Sequence, residues 1–171
     1  RSEESSVHTS IWDPGDEAIE EDDDQMDLIE LSKDQSMLIT GCAGSGKSVI
    51  AMHKAQKIAE EGGDVILLTL TKSLNSFMKL GKRSANYQFY TAAKWEVMGC
   101  PKADYIIVDE IQDFDRDQVK RFMDAAKTAY YFFGDSAQSI YKHFDQPTMS
   151  IEEISKLTGL KPLRLYNNYR L

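Results

Sequence analysis

From about residue 28 onward, short apolar runs alternate with longer amphipathic stretches. The runs are four to six residues long, and they lie at Met37–Thr40, Val65–Leu70, Tyr105–Val108 and Ala129–Phe133, with weaker candidates at Tyr87–Tyr90 and Leu163–Tyr166. Runs that are apolar at successive positions are typical of parallel strands, because helices cover both faces of a parallel sheet. We therefore interpret them as the strands of such a sheet.

Helical periodicity and helix-ending signals fill the intervals between these runs. The predicted helices cover residues 47–61, 72–80, 116–127 and the stretch from Ser150 to Gly159. The first of them stops at a Gly-Gly pair, and the last opens with a Ser-x-x-Glu capping box. The alternation of strand and helix predicts a three-layer α/β domain with a mainly parallel sheet.

Charge divides the chain into two parts. Residues 1–27 hold 11 of the 28 acidic residues and one basic residue, so their net charge is −10. Residues 28–171 carry +2, although the whole chain carries −8. We interpret residues 1–27 as an acidic tail or linker and residues 28–171 as the folded domain. The overall acidity is therefore only a weak argument against a nucleic-acid partner.

Composition bears on the cellular setting. No apolar run approaches the roughly 18 residues of a membrane-spanning helix, and the N-terminus lacks the apolar core of a secretory signal. The two cysteines, Cys42 and Cys100, are too few for a disulfide or zinc framework. We expect a cytoplasmic protein without a membrane partner.

Residues 41–48 carry the first chemical motif. They read Gly-Cys-Ala-Gly-Ser-Gly-Lys-Ser and match the pattern G-x-x-x-x-G-K-[ST] at every fixed position, between a predicted strand and a predicted helix. Such a loop turns its backbone N–H groups toward phosphates, and the cradle here would come from Gly41, Ala43, Gly44, Ser45 and Gly46. We expect Lys47 to reach the β and γ phosphates and Ser48 to bind Mg²⁺.

The second motif is an apolar strand that ends in two carboxylates, Asp109 and Glu110. Ligands of open α/β sheets sit at the carboxyl ends of strands, which would bring these side chains near the phosphate loop. We expect Asp109 to hold Mg²⁺ indirectly, through a ligand or a water of the cation, and Glu110 to act as the general base on the attacking water. Together the two motifs predict hydrolysis of a nucleoside triphosphate.

Further segments make a more specific resemblance. Residues 109–113, Asp-Glu-Ile-Gln-Asp followed by Gln118, resemble the VDEFQD…Q motif of superfamily 1 helicases of the UvrD, Rep and PcrA kind. Residues 134–141 resemble their GDxxQSIY motif, residues 168–170 their NYR motif, and residues 68–73 their LTFTxxA segment. The resemblance spans about residues 28–171 and implies a RecA-like P-loop NTPase domain of a DNA helicase.

The resemblance also implies roles for single residues. Gln35 would read the adenine edge, Tyr169 would stack on the base, Gln138 would sense the γ-phosphate, and Arg170 would act as an arginine finger. Contacts to single-stranded DNA would come from Thr69, Thr71, Lys72, Thr91, Trp95, Tyr141 and His143. Trp95 is equally compatible with a place in the core, and His143 stands where relatives often carry a stacking tryptophan.

Two departures from the family bear on function. About a dozen residues separate Trp95 from Asp109, where the family usually inserts a large DNA-binding subdomain. The chain ends just after the NYR motif, and we expect a second motor domain to be required as a partner for translocation. These departures favour an alternative to a motor domain, an ATP-dependent switch module for a protein partner. A P-loop kinase is a weaker alternative, because a kinase has no need of the segments at residues 109–113, 134–141 and 168–170.

Overall fold

The computed structural model describes residues 34–41, 47–70, 87–135 and 148–165. Within these ranges the strands are β1 (Met37–Gly41), β2 (Val65–Thr69), β3 (Gln88–Thr91), β4 (Ala103–Val108), β5 (Ala126–Asp135) and β6 (Pro162–Arg164). The helices are α1 (Lys47–Glu60), α2 (Ala92–Val97), α3 (Arg116–Ala125) and α4 (Ile151–Thr158), with a short 3-10 helix at Ile111–Asp113. Among these described helices, none has the length and apolar character needed to cross a membrane.

The strands form one sheet in the order β3-β2-β4-β5-β1-β6. Every strand pairing in it is parallel. Strand β5 comes late in the sequence and lies between β1 and β4, so it brings two distant parts of the chain to neighbouring positions. All six predicted strands are present, and the sheet confirms the predicted parallel α/β architecture.

The core lies on both faces of this sheet. Successive strand residues contribute to opposite faces, as Leu38 and Ile39 of β1 and Phe132 and Phe133 of β5 illustrate. On one face the strands pack against the apolar side of α1, and on the other they pack against residues of α2, α3 and α4. This two-sided burial explains why the strands are apolar at successive positions rather than alternately.

Local capping signals begin and end helix α4 where the sequence predicted. The Ser150 hydroxyl accepts a hydrogen bond from the Glu153 N–H, while the Glu153 carboxylate accepts one from the Ser150 N–H. The same helix, α4, ends at Gly159, which has φ +77. Glycine adopts this left-handed conformation without a steric penalty. These contacts fix the ends of α4 independently of its packing.

Three local features differ from the sequence-based predictions. The predicted helix over residues 116–127 ends at Ala125, because Ala126 already pairs with Ala103 in the sheet. Helix α2 and the 3-10 helix were not predicted, since six and three residues are too few to show a helical period. The predicted helix over residues 72–80 and the acidic segment 1–27 lie outside the described residues.

Candidate functional site

Three adjacent strands deliver the candidate site residues to one edge of the sheet. Gly41 is the last residue of β1, Asp135 is the last residue of β5, and Asp109 directly follows β4. Gly41 and Asp135 are register partners, so the two strands end at the same level. The carboxyl edge of a parallel sheet is where open α/β folds bind their ligands. The topology thus brings the phosphate-loop motif and the Asp-Glu motif together, as the sequence predicted.

The first two residues of α1 connect these motifs directly. Lys47 is 8% exposed, and its Nζ donates a hydrogen bond to the Gly41 carbonyl at 3.2 Å. The Ser48 Oγ donates a hydrogen bond to Asp109 Oδ2 at 2.9 Å, across 61 residues of sequence. A lysine, a hydroxyl and a carboxylate therefore converge at the start of a helix. The lysine charge favours an anionic ligand here, and the positive end of the helix dipole acts in the same direction.

Asp109 is a buried carboxylate whose hydrogen bonding is incomplete. It is 0% exposed, and its Oδ1 has no hydrogen-bond partner among the described residues. Burial, and after it the Glu110 carboxylate, raises the pKa of Asp109 to about 7, against the lowering effects of Ser48, the Glu110 backbone and Lys47. A buried carboxylate oxygen without a donor, next to a serine hydroxyl, fits a hard divalent cation such as Mg²⁺.

Glu110 occupies a strained backbone conformation immediately after Asp109. Its φ of 58° and ψ of 43° lie in the left-handed region, which a residue with a Cβ seldom adopts. Strain of this kind costs about 1–2 kcal/mol and is often found at functional sites. The bend follows β4 and leads into the 3-10 helix. Glu110 is partly buried at this turn and lies beside the Asp109 carboxylate.

Gln112 links Glu110 to the neighbouring strand, a role that the sequence analysis did not identify. Its Nε2 donates to Glu110 Oε1 at 3.0 Å, and its Oε1 accepts from the Asp135 N–H at 3.0 Å. The side chain is almost fully buried, at 4% exposed. The only sequence signal was its place two residues after Glu110, which by itself does not specify a contact.

The adenine contact of Gln35 stays a prediction. Gln35 is exposed and lies two residues before β1, which ends at Gly41 in the phosphate-loop motif.

Two of the predicted DNA contacts are wrong, because the side chains are buried. Trp95 is 0% exposed, its Nε1 donates to the Pro101 carbonyl, and its ring packs 5.4 Å from that of Phe122. Thr69 is likewise 0% exposed. The Thr91 hydroxyl accepts from the Lys94 N–H and caps α2. A contact of Thr91 with DNA stays a prediction.

The remaining predicted site residues lie outside the described part of the chain. In the phosphate loop these are Ala43, Gly44, Ser45 and Gly46. In the segments that resemble helicase motifs they are Thr71, Lys72, Gln138, Tyr141, His143, Tyr169 and Arg170. Their roles stay predictions.

Comparison with known proteins adds a family match. A family model described as an AAA domain matches residues 20–141, which include both the phosphate loop and the Asp-Glu motif. Among curated proteins, none matches the sequence significantly. The family match therefore covers both motifs that meet at the carboxyl edge.

Two solved structures share the fold. The helicase domain of Hef from Pyrococcus furiosus aligns with a TM-score of 0.55 and 18% identity, over 82% of this chain and 37% of that one. Nonstructural protein 10 of an arterivirus, a helicase in complex with DNA, aligns with a TM-score of 0.53 and 16% identity, over 80% of this chain and 37% of that one. The chain thus spans little more than a third of either, and the likeness establishes the RecA-like fold.

Proposed function

The chain belongs to the AAA domain family, and on that basis we propose that its carboxyl edge binds ATP with Mg²⁺ and hydrolyses the γ-phosphate. The observation that carries this proposal is the hydrogen bond of 2.9 Å between Ser48 Oγ and Asp109 Oδ2. It joins the phosphate-loop motif to the Asp-Glu motif at the one edge where both are expected to act. The buried Lys47 lies beside this contact.

Each residue then has a defined task. Lys47 holds the β and γ phosphates by charge, while Ser48 and Asp109 hold the cation. The cation, when bound, neutralises the negative charge that develops on the phosphate oxygens. Glu110 accepts a proton from the attacking water, whose oxygen bonds to the γ-phosphorus as the bond to the β-phosphate oxygen breaks. The products are ADP and inorganic phosphate.

We further propose that this domain belongs to a UvrD-like DNA helicase and couples hydrolysis to single-stranded DNA. The support is the ordered set of motif resemblances between residues 68 and 170. The fold is shared with two proteins described as helicases, one of them in complex with DNA. In this proposal Gln138, Tyr169 and Arg170 contact the nucleotide, and the larger helicase supplies a second motor domain.

A second candidate function is an ATP-dependent switch that acts on a protein partner. Two observations favour it over a motor. Thr69 and Trp95, two of the predicted DNA contacts, are buried in the domain. In addition, only residues 98–102 join α2 to β4, so no DNA-binding subdomain is inserted at that point of the chain.

Steady-state ATP hydrolysis by the 171-residue chain, with and without single-stranded DNA, separates these proposals. A DNA-stimulated turnover that Glu110→Gln abolishes would support the helicase domain. Turnover or tight ATP binding that is indifferent to DNA would support the switch. A chain that fails to bind Mg·ATP at all would refute both. Asp124→Asn, an exposed carboxylate on α3, is the matched control and should behave as the wild type.

A further inference from the structure

We propose that Gln112 is a positioning residue that fixes the Glu110 carboxylate and couples it to the end of strand β5. This inference rests on the proposed role of Glu110 in hydrolysis, and it assigns the task of orienting that side chain. The carrying observation is the pair of hydrogen bonds, each 3.0 Å long, from the one amide group to Glu110 and to Asp135.

The chemistry of the two partners determines how the amide is oriented. The Asp135 N–H is a donor, so it must face the amide oxygen of Gln112. The amide nitrogen is then directed at Glu110 and donates to its carboxylate. A glutamine satisfies both partners at once, whereas a glutamate in its place would have no proton for Glu110. The contact with Glu110 is a charge-assisted hydrogen bond, which is stronger than a neutral one.

The packing around Gln112 leaves this side chain little freedom. It is 4% exposed. A Cβ added to Gly134 would lie 2.8 Å from Gln112 Oε1 and 2.9 Å from Ile111 Cγ2. Glycine is therefore needed at position 134 for the amide to approach the strand. The missing side chain at position 134 of β5 thus makes room for the Gln112 amide.

The bridge lies directly after the left-handed backbone of Glu110, at the start of the 3-10 helix. Orienting the Glu110 carboxylate requires that its χ torsions be held in one rotamer. Gln112, two residues further, holds one of its carboxylate oxygens. Because the amide is also bound to the last residue of β5, a movement of that strand end would be transmitted to Glu110.

Hydrogen exchange of the Asp135 amide, followed by NMR of the uniformly labelled chain, tests the bridge without reference to activity. We expect Gln112→Met to accelerate this exchange by about 10-fold, the equivalent of one lost hydrogen bond. Glu110→Ala should also accelerate it, but should add nothing in the Gln112→Met background. An Asp135 amide that is indifferent to both substitutions would overturn the proposal.

A kinetic double-mutant cycle tests the positioning role. We expect Gln112→Met to lower kcat by about 10- to 100-fold while KM for ATP stays within about twofold. In a Glu110→Asp background, whose shorter side chain withdraws the carboxylate from the Gln112 amide, the same substitution should change kcat no further. An equal loss in both backgrounds, or a loss confined to KM, would refute a role exerted through Glu110.

Gln118→Met is the matched control. Gln118 also bridges two groups, since its side chain accepts from the Asp115 N–H and donates to Glu96, and it is part of the α3 capping box. It should lose stability without a change in kcat or in Asp135 exchange. If Gln112→Met does not fold, Gly134→Ala disturbs the same contact from the strand side and should give the same kinetic pattern.

The two parts of the test fail separately. If the wild type and Glu110→Gln turn over ATP equally slowly, the proposed function fails, while the exchange measurement still decides whether Gln112 couples Glu110 to Asp135. If Glu110→Gln abolishes turnover but Gln112→Met and Gly134→Ala leave kcat unchanged, the positioning role alone is refuted.

Discussion

Replacement of Asp109 by asparagine should make the metal-free protein more stable at neutral and alkaline pH while it abolishes hydrolysis. The buried carboxylate is costly to ionise, since its pKa rises from 3.8 to about 7 through desolvation and the neighbouring Glu110. Asparagine is nearly isosteric, it can still accept the hydrogen bond from Ser48, and it cannot ionise. It therefore removes the cost of a buried charge that the site carries for its function.

The sign and size follow from proton linkage. The folded protein holds the Asp109 proton more tightly than the unfolded chain does. This contribution to stability is complete below the unfolded pKa near 4 and is lost as pH rises through about 7. Integrated between about pH 5.5 and pH 8, the loss in the wild type is about 2 kcal/mol. For a domain of this size that corresponds to about 4–8 °C in Tm.

Thermal unfolding in EDTA across this pH range measures the effect. The Tm difference between Asp109→Asn and the wild type should widen as pH rises, and Asp124→Asn should show no such widening. The wild type and Asp109→Asn share every other titrating group, so the pH dependence of their Tm difference reports on Asp109 alone. A Tm difference that stays constant from about pH 5.5 to pH 8 would refute the placement of an ionisable, desolvated carboxylate here.

Three further predictions test the fold around the site. Phe122→Ala should lower the free energy of unfolding by about 3–5 kcal/mol in a denaturant titration, because the buried Phe122 ring packs against those of Trp95 and Phe114. A loss below about 1 kcal/mol would contradict this packing. Trp95→Phe should cost about 2 kcal/mol, because it removes the hydrogen bond to Pro101 and leaves a cavity beside the smaller buried ring. It should leave any single-stranded DNA affinity unchanged in an anisotropy assay, and a weakened affinity would restore Trp95 as a DNA contact. Gly159→Ala should cost about 1 kcal/mol in thermal unfolding because of its positive φ; an unchanged Tm would argue against this helix end.

The fold was predictable because its signals are local. Buried parallel strands must be apolar on both faces, and the four runs that meet this condition correspond to β1, β2, β4 and β5. The two weaker runs correspond to the edge strands β3 and β6. The end of α4 was equally readable from Ser150, Glu153 and Gly159. Strand order was not readable in this way, because it depends on which strands pack side by side. The place of β5 between β1 and β4 became visible only in the structure.

The site was predictable where sequence spacing and strand topology agree. Lys47, Ser48 and Asp109 each lie at a strand-to-helix or strand-to-turn junction, and such junctions meet at one edge. The role of Gln35 stays a prediction, because the residue precedes β1 and no contact among the described residues connects it to the site. The prediction failed for Trp95 because an aromatic side chain in sequence does not reveal whether it faces the core or a ligand.

The role of Gln112 shows a different limit. Its two partners are two residues and 23 residues away, and the second contact requires a glycine on another strand. No periodicity or spacing rule specifies such a three-way contact. The contact arises from packing. The family resemblance includes Gln112 in the Asp-Glu-Ile-Gln-Asp segment but implied no role for its side chain.

The most direct test of the central claim is the equilibrium affinity for ATP with and without Mg²⁺, measured for the wild-type chain and for Lys47→Ala. We predict binding that strengthens with Mg²⁺ and that Lys47→Ala weakens by at least about 10-fold, because the lysine charge is lost from the phosphate site. Binding that ignores both the cation and the substitution would contradict the assignment of the carboxyl edge as the ATP site, and so would an absence of binding in the wild type.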